Sequence, residues 1–346
     1  MGRLVAAKTD YSVESSDPHK DFTHARPTSC MDLFRSARAV AESDGDGIID
    51  WSAVSAAAKA STPAGDLTLT ADEQAGYRDD VRDARNRLQS VGGVEFDLPN
   101  TIEVQNRHHW IDANIETFSR VVEPLENQAT LLPELSRALN TATMAVTLGF
   151  LGRNVLGQYD PLLLADSDDH SLYFVRPNIR RVAAQLDVGY PRFRRWIAFH
   201  EVAHAAEFGA APWLSGYLED RMHESVSALS SGSLDREAFR ELNTAMTAVE
   251  GYAELLMDQA FDDEYADLRA KLDARRQGGG PFVQLMRRLL GLGLKRQQYE
   301  RGARFFEAIA EARGIPAASA VWDHPDNLPT DAELDDPGAW LRRVKA

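Results

Sequence analysis

From Met31 onward the chain alternates between amphipathic stretches of helical period and short polar breaks. Apolar positions recurring three and four apart predict helices at about 51–60, 70–91, 106–122 and 131–155, and again at about 191–208, 235–262, 281–294 and 296–313. The stretch "LTADEQ" carries a capping box, with Thr70 as N-cap and Glu73 three residues on. Between 157 and 180 the pattern changes to two short apolar runs, "LLLA" and "LYFV", on either side of the turn-like "DSDDHS". That predicts a strand, a loop and a second strand, stopped by Pro177. Residues 1–30 mix Ser, Thr, Asp, Pro and His without a period and are expected to form a disordered extension, leaving 31–346 as the folded domain. Glycines 278–280 predict a break in the last third, and the turn-rich tail "DHPDNLPTDAELDDPGAWLRRV" ends in a short helix. There is no internal repeat. The expected fold is mainly α, of the α+β kind, with a small β element ahead of the helix at 191–208.

Composition narrows the setting. A net charge of −15 leaves no basic excess to displace counterions, so no nucleic-acid partner is expected. No uninterrupted apolar run approaches the roughly 18 residues of a membrane span, and the N-terminus has no apolar signal-peptide core, so the expectation is a cytoplasmic protein with no membrane partner. The opening Met-Gly lacks the Ser or Thr at position six that myristoylation requires. The single cysteine, Cys30, excludes an intramolecular disulfide and a thiolate metal cluster. Lysines number six, while Asp is plentiful and Arg carries most of the positive charge. Such a surface stays hydrated in concentrated salt, so a halophilic, salt-adapted cytoplasm is expected. Oligomeric state leaves no mark in the sequence.

The candidate chemistry lies in "RRWIAFHEVAHAAEFGAAPWL", where His200 and His204 stand four apart with Glu201 after the first. Pro191 suits the first helical position, and Gly209 with Pro212 supplies the stop. Phe193, Trp196, Ile197, His200, Ala203 and His204 recur at helical spacing, which predicts that the histidines face inward with the apolar stripe. Side chains four apart stack on one face, so both imidazoles can reach one ion. Glu201 is rotated away from that face; it is placed to hold a water beside the ion and accept its proton. Metzincins continue with Gly and then His, whereas the matching positions here are Glu207 and Ala210, which excludes that branch. Downstream, "NTAMTAVEGYAELLMDQAFDD" carries Glu250, Glu254 and Asp258 at four-residue spacing. Three carboxylates so spaced suit a solvated face, but the surrounding Val249, Ala253, Leu256 and Met257 predict burial, and buried charges need partners. Glu250 as third ligand, with Glu254 accepting the other ring N–H of a ligating histidine, satisfies both.

"HEVAH" followed by "EGYAE" resembles the gluzincin arrangement, in which a helix carrying H-E-x-x-H faces a second helix that supplies a glutamate ligand. In thermolysin-like members an acidic residue four positions after that glutamate orients a histidine, and Glu254 takes that position. More widely, "NRHHWIDANI", "GQYDPLL", "FVRPNI", "LKRQQYERGARF" and "LPTDAELDDPGAWLRRV", together with those motifs, resemble the zincin-like metallopeptidases of actinobacteria and halophilic archaea, one branch of which is associated with coenzyme F420 biosynthesis. The resemblance implies a zincin-like helical catalytic domain, Zn2+ as cofactor and a metallohydrolase activity. Many members have His where this chain has Tyr252.

Other patterns carry less. "ESDGDGIIDW" imitates a calcium loop, but with Gly47 at the turn, position one is Glu42 and position twelve is Ala53, so an acidic turn before a helix is expected. His108 and His109 beside Trp110 are expected to pack rather than to form a second metal site. His223 and Tyr159 are candidate electrophiles with no geometry assigned. No P-loop, dinucleotide fingerprint or Gly-x-Ser-x-Gly elbow is present. The reading is a zinc-dependent hydrolase acting on a peptide or amide bond, with His200, His204 and Glu250 as ligands and Glu201 as general base. Its rivals are a zinc-stabilised scaffold or assembly factor without turnover, and a hydrolase of a small non-peptide amide linked to coenzyme F420 metabolism.

Overall fold

The structure, a computed structural model, describes residues 12–15, 47–123, 133–160, 170–230, 236–261, 265–277 and 295–345. It is mainly helical with one small sheet, as the pattern predicts. Strands β1 (Ser12–Ser15), β2 (Thr101–Gln105), β3 (Gly157–Asp160) and β4 (Ser171–Val175) lie in the order β1-β2-β4-β3. β1 and β4 both pair parallel with β2, while β3 runs antiparallel to β4, with Gly157 opposite Phe174 and Asp160 opposite Ser171. β1 departs from the expectation of an extension without structure, since backbone pairing at a sheet edge needs no apolar period; the rest of residues 1–30 lies outside the described residues.

The helices are α1 (Trp51–Ser61), α2 (Ala71–Gly92), α3 (Arg107–Val122), α4 (Pro133–Asn154), α5 (Arg176–Gln185), α6 (Tyr190–Ala210), α7 (Leu214–Ser230), α8 (Arg236–Ala260), α9 (Tyr265–Gln277), α10 (Lys295–Arg313), α11 (Ile315–Ser319) and α12 (Pro337–Val344). β2, β3, α5, α7, α9 and α11 are additions to the predicted elements. Pro177 ends β4, as expected, and also opens α5. Of the two apolar runs, "LYFV" falls in β4, whereas "LLLA" and the helix expected at 281–294 lie outside the described residues. Caps match residue type: Asp50, Thr70 and Asn106 each accept a backbone N–H at the start of α1, α2 and α3. Asp50 thus ends the acidic turn that imitates a calcium loop, whose positions 42–46 lie outside the described residues.

Adjacent side chains of β4 face opposite sides of the sheet. Phe174 joins the larger core with α2, α6, α8 and α10, and Val175 joins a smaller one with Val54, Trp110, Ile111 and Leu148. Helix α6 departs from the expected single apolar stripe. It is buried on nearly every side, and His200, His204 and Phe208 form a row that remains partly accessible.

Two features hold α6 and α8 in place. On the far side of α8, Gly251 meets Gly302 of α10 backbone to backbone: a Cβ on Gly251 would lie 2.3 Å from the Gly302 carbonyl carbon, and one on Gly302 would lie 2.2 Å from the Thr247 carbonyl oxygen. Alanine at a helix interior ordinarily gains about 1 kcal/mol over glycine; here the obstacle is backbone, which cannot swing aside. Gly302→Ala is therefore expected to destabilise the fold by about 1–3 kcal/mol in denaturant unfolding, and a variant as stable as the wild type would contradict the crossing.

At the start of α6 a polar brace joins α2, α5 and α6. Arg176 pairs with Glu73 at 2.7 Å and Asp66 at 2.8 Å, and Tyr190 donates to Glu73 at 2.6 Å. The capping-box glutamate therefore faces Arg176. Asp66 is lowered to about 2, first by the Thr68 backbone N–H and then, against burial, by Arg176. Glu73 is also lowered, because Arg176 and Tyr190 outweigh the burial that would raise it. Carboxyls depressed on folding stabilise the native state above their unfolded pKa, near 4, and cease to do so as pH falls through the folded value. Stability is expected to drop between about pH 4 and pH 2, by denaturant titration across pH; a flat profile there would contradict the brace.

Candidate metal centre

α6 and α8 cross with their polar residues turned toward each other. His200 and His204, one turn apart on α6, stack edge to face with ring centroids 4.8 Å apart. Glu250 comes from the middle of α8, where residues 247–257 form an unbroken buried stretch, so its carboxylate belongs to the interior and not to a solvated face. One nitrogen of each imidazole and one Glu250 oxygen all lie within 4.8 Å of one another, the only such group of three or more among the described residues. His204 Nε2 stands 3.9 Å from Glu250 Oε2. Ligands at about 2.0–2.1 Å on a tetrahedral ion are about 3.4 Å apart, so a small contraction brings both to one metal. Two imidazoles and a carboxylate, with no thiolate, suit zinc and leave a fourth position open.

Glu201 does not join that triangle. Its carboxylate accepts the backbone N–H of Tyr159 on β3 at 2.8 Å, and its Oε1 lies 3.9 Å from His200 Nδ1. The approach of β3 requires Gly157, where a Cβ would stand 2.7 Å from Glu201 Cγ and Oε1 and from Ile197 Cγ2. On the opposite face of the strand Gln158 accepts from Trp110 Nε1 at 2.7 Å and donates to Asn114 Oδ1 at 3.0 Å, which fixes β3 to α3. The Tyr159 ring lies over Phe208, 5.4 Å between centroids, and its hydroxyl meets His170 Nδ1. Burial raises the Tyr159 phenol, and Asp160 adds to the effect.

Glu207 is the residue that sequence reasoning missed. It is fully buried, and its Oε2 lies 2.8 Å from His204 Nδ1. Burial would lower the His204 pKa, but the Glu207 hydrogen bond and charge, with Glu250 and Glu201 behind it, outweigh that and raise it to about 9. Burial raises Glu207 to about 7, partly offset by His204. Its position three residues after the second histidine was the available signal.

Of the other candidates, Glu254 is buried, one turn after Glu250; its Oε1 accepts from the Tyr265 hydroxyl at 3.0 Å and pairs with Arg269 Nε at 2.9 Å, while Asp258 pairs with Arg269 Nη1 at 2.7 Å. Tyr252 is buried, bonded to Ser319 Oγ at 2.7 Å and set edge-on to Phe306 and Trp322. His108 Nε2 contacts the Thr62 carbonyl at 2.6 Å, and neither His108, His109 nor His223 enters a metal-ligand cluster among the described residues.

The family model for zincin-like metallopeptidases matches residues 49–233 and 218–341. The chain belongs to the zincin-like metallopeptidase family. Within that family the H-E-x-x-H helix and the metal it implies, typically zinc, agree with the donor set found here. The chain is also similar to a provisionally assigned hydrolase of novel fold from Chloroflexus aurantiacus, known from a crystal structure, at 31% identity and a TM-score of 0.68 over 90% of this chain and 98% of that one. No curated protein matches. Family and neighbour support a hydrolase. Among the described residues no helix is long and apolar enough to cross a membrane.

Proposed function

We propose that this zincin-like metallopeptidase is a zinc-dependent hydrolase of peptide or amide bonds, with His200, His204 and Glu250 as metal ligands and Glu201 as general base. The observation that carries the reading is the division of labour between two carboxylates. Glu250 lies within 4.8 Å of both imidazoles, while Glu201 is turned aside and oriented by the Tyr159 N–H. His200, His204 and Glu250 would hold the zinc, which when bound would supply a Lewis acid for the scissile carbonyl and make water a stronger acid. Glu201 takes the proton of the attacking water and returns it to the leaving amine. The Tyr159 N–H keeps one carboxylate oxygen fixed while the other exchanges the proton.

β3 runs beside Glu201 and is joined to it through the Tyr159 N–H. An extended peptide laid alongside this strand would bring its backbone to the base, which favours a peptide over a compact substrate. A small non-peptide amide linked to coenzyme F420 metabolism is the rival substrate, and the same assay tests it. Zinc-replete protein offered a mixed peptide library and small amides should cleave, and a chelator should stop cleavage until zinc is returned. Zinc-replete protein that cleaves no amide would contradict the proposal.

A further inference from the structure

Glu207 has features that a chance buried acid lacks. It occupies the position at which a metzincin has glycine, on the helix that carries both histidines, and its side chain is 0% exposed. A carboxylate taken wholly out of water costs several kcal/mol unless it is paired and hydrogen-bonded. The partner provided is the ring of His204, at 2.8 Å through Nδ1. A neutral imidazole has one N–H and one lone pair, so an acceptor fixed at Nδ1 decides which nitrogen carries which. With the proton at Nδ1, the lone pair is on Nε2, the atom that stands 3.9 Å from Glu250 Oε2 and faces the ligand triangle. The anionic acceptor also pulls the Nδ1 proton and makes Nε2 a stronger donor to a cation. The arrangement expected of Glu254 in the gluzincin pattern is thus made for His204 from within its own helix. Glu254 Oε1 is engaged with Tyr265 and Arg269 of α9.

We propose that Glu207 is a positioning residue for the metal: its carboxylate accepts the Nδ1–H of His204 and holds Nε2 as the ligand atom facing Glu250. The proposal rests on the reading of His200, His204 and Glu250 as the metal site. It predicts a graded response. Glu207→Gln keeps the size and an acceptor oxygen but removes the charge; Glu207→Ala removes both.

The test uses the full chain, with zinc affinity measured by competition against a chromophoric chelator and the His204 tautomer read by long-range nitrogen–proton correlation in the zinc-loaded, nitrogen-labelled protein. Loss of such an outer partner costs roughly 10–100-fold in metal affinity. Glu207→Ala should fall in that range and Glu207→Gln between it and the wild type, and the wild-type His204 ring should carry its proton on Nδ1. A merely structural role would change the thermal midpoint of the zinc-free chain without moving zinc affinity or the tautomer. Should Glu207→Ala fail to fold, Glu207→Gln carries the test: wild-type affinity in that variant overturns the proposal, as does a His204 ring protonated on Nε2. A wild-type chain that binds no zinc overturns the metal centre itself, which is a different failure.

Discussion

Glu201→Gln is expected to retain zinc and fold while losing hydrolysis by about two to four orders of magnitude, the contribution typical of a positioned general base. The amide is nearly isosteric with the carboxylate and its oxygen can still accept the Tyr159 N–H, which in the wild type spans 2.8 Å. It has no basic oxygen to take a proton from water. Metal analysis and a peptide-cleavage assay on the same preparation separate the two main readings. An enzyme keeps its zinc and loses turnover; a zinc-stabilised scaffold is indifferent to the change in every assay. A variant that hydrolyses at the wild-type rate would remove Glu201 from the mechanism.

Substituting the ligands should act on metal content first. His200→Ala or His204→Ala should abolish stoichiometric zinc, since each removes one of three protein donors from a group whose atoms lie within 4.8 Å of one another. Glu250→Gln replaces an anionic ligand by a neutral one and should bind zinc more weakly than Glu254→Gln, whose wild-type carboxylate also pairs with Arg269 and Tyr265. The expected order of zinc retention is Glu201→Gln, then Glu254→Gln, then Glu250→Gln. If Glu250→Gln binds as tightly as the wild type while Glu254→Gln does not, the third ligand lies one helical turn further along α8.

Periodicity located the long helices to within a few residues: 106–122 against Arg107–Val122, and 235–262 against Arg236–Ala260. It failed where local pattern was short or where packing decided. "TIEVQ" does alternate polar and apolar, but five residues between Pro99 and Asn106 carry little weight until β4 pairs with them. β3 is polar, "GQYD", and is a strand because Gly157 lets it lie against Ile197 and Glu201 and because Trp110 and Asn114 hold Gln158. α7 and α9, rich in Ser, Asp and Arg, have weak apolar stripes and dock by tertiary contact. The grouping of His200, His204 and Glu250 was legible because metal chemistry demands residue types at fixed helical offsets. Glu207 was not, because a charge on a helix ordinarily marks the solvent side, and only the burial of α6 on nearly all sides turns that rule over. For the same reason the apolar stripe expected of this helix does not exist, and the histidines lie in its accessible row.

A zinc ion held between α6 and α8 would be seen most directly by anomalous diffraction at the zinc edge from a crystal of the wild-type protein grown with zinc. A single strong peak per chain is expected at bonding distance from one nitrogen each of His200 and His204 and from a Glu250 oxygen, with Glu201 near but outside that shell. A peak bonded to other residues, or zinc-replete crystals with no peak between these helices, would contradict it.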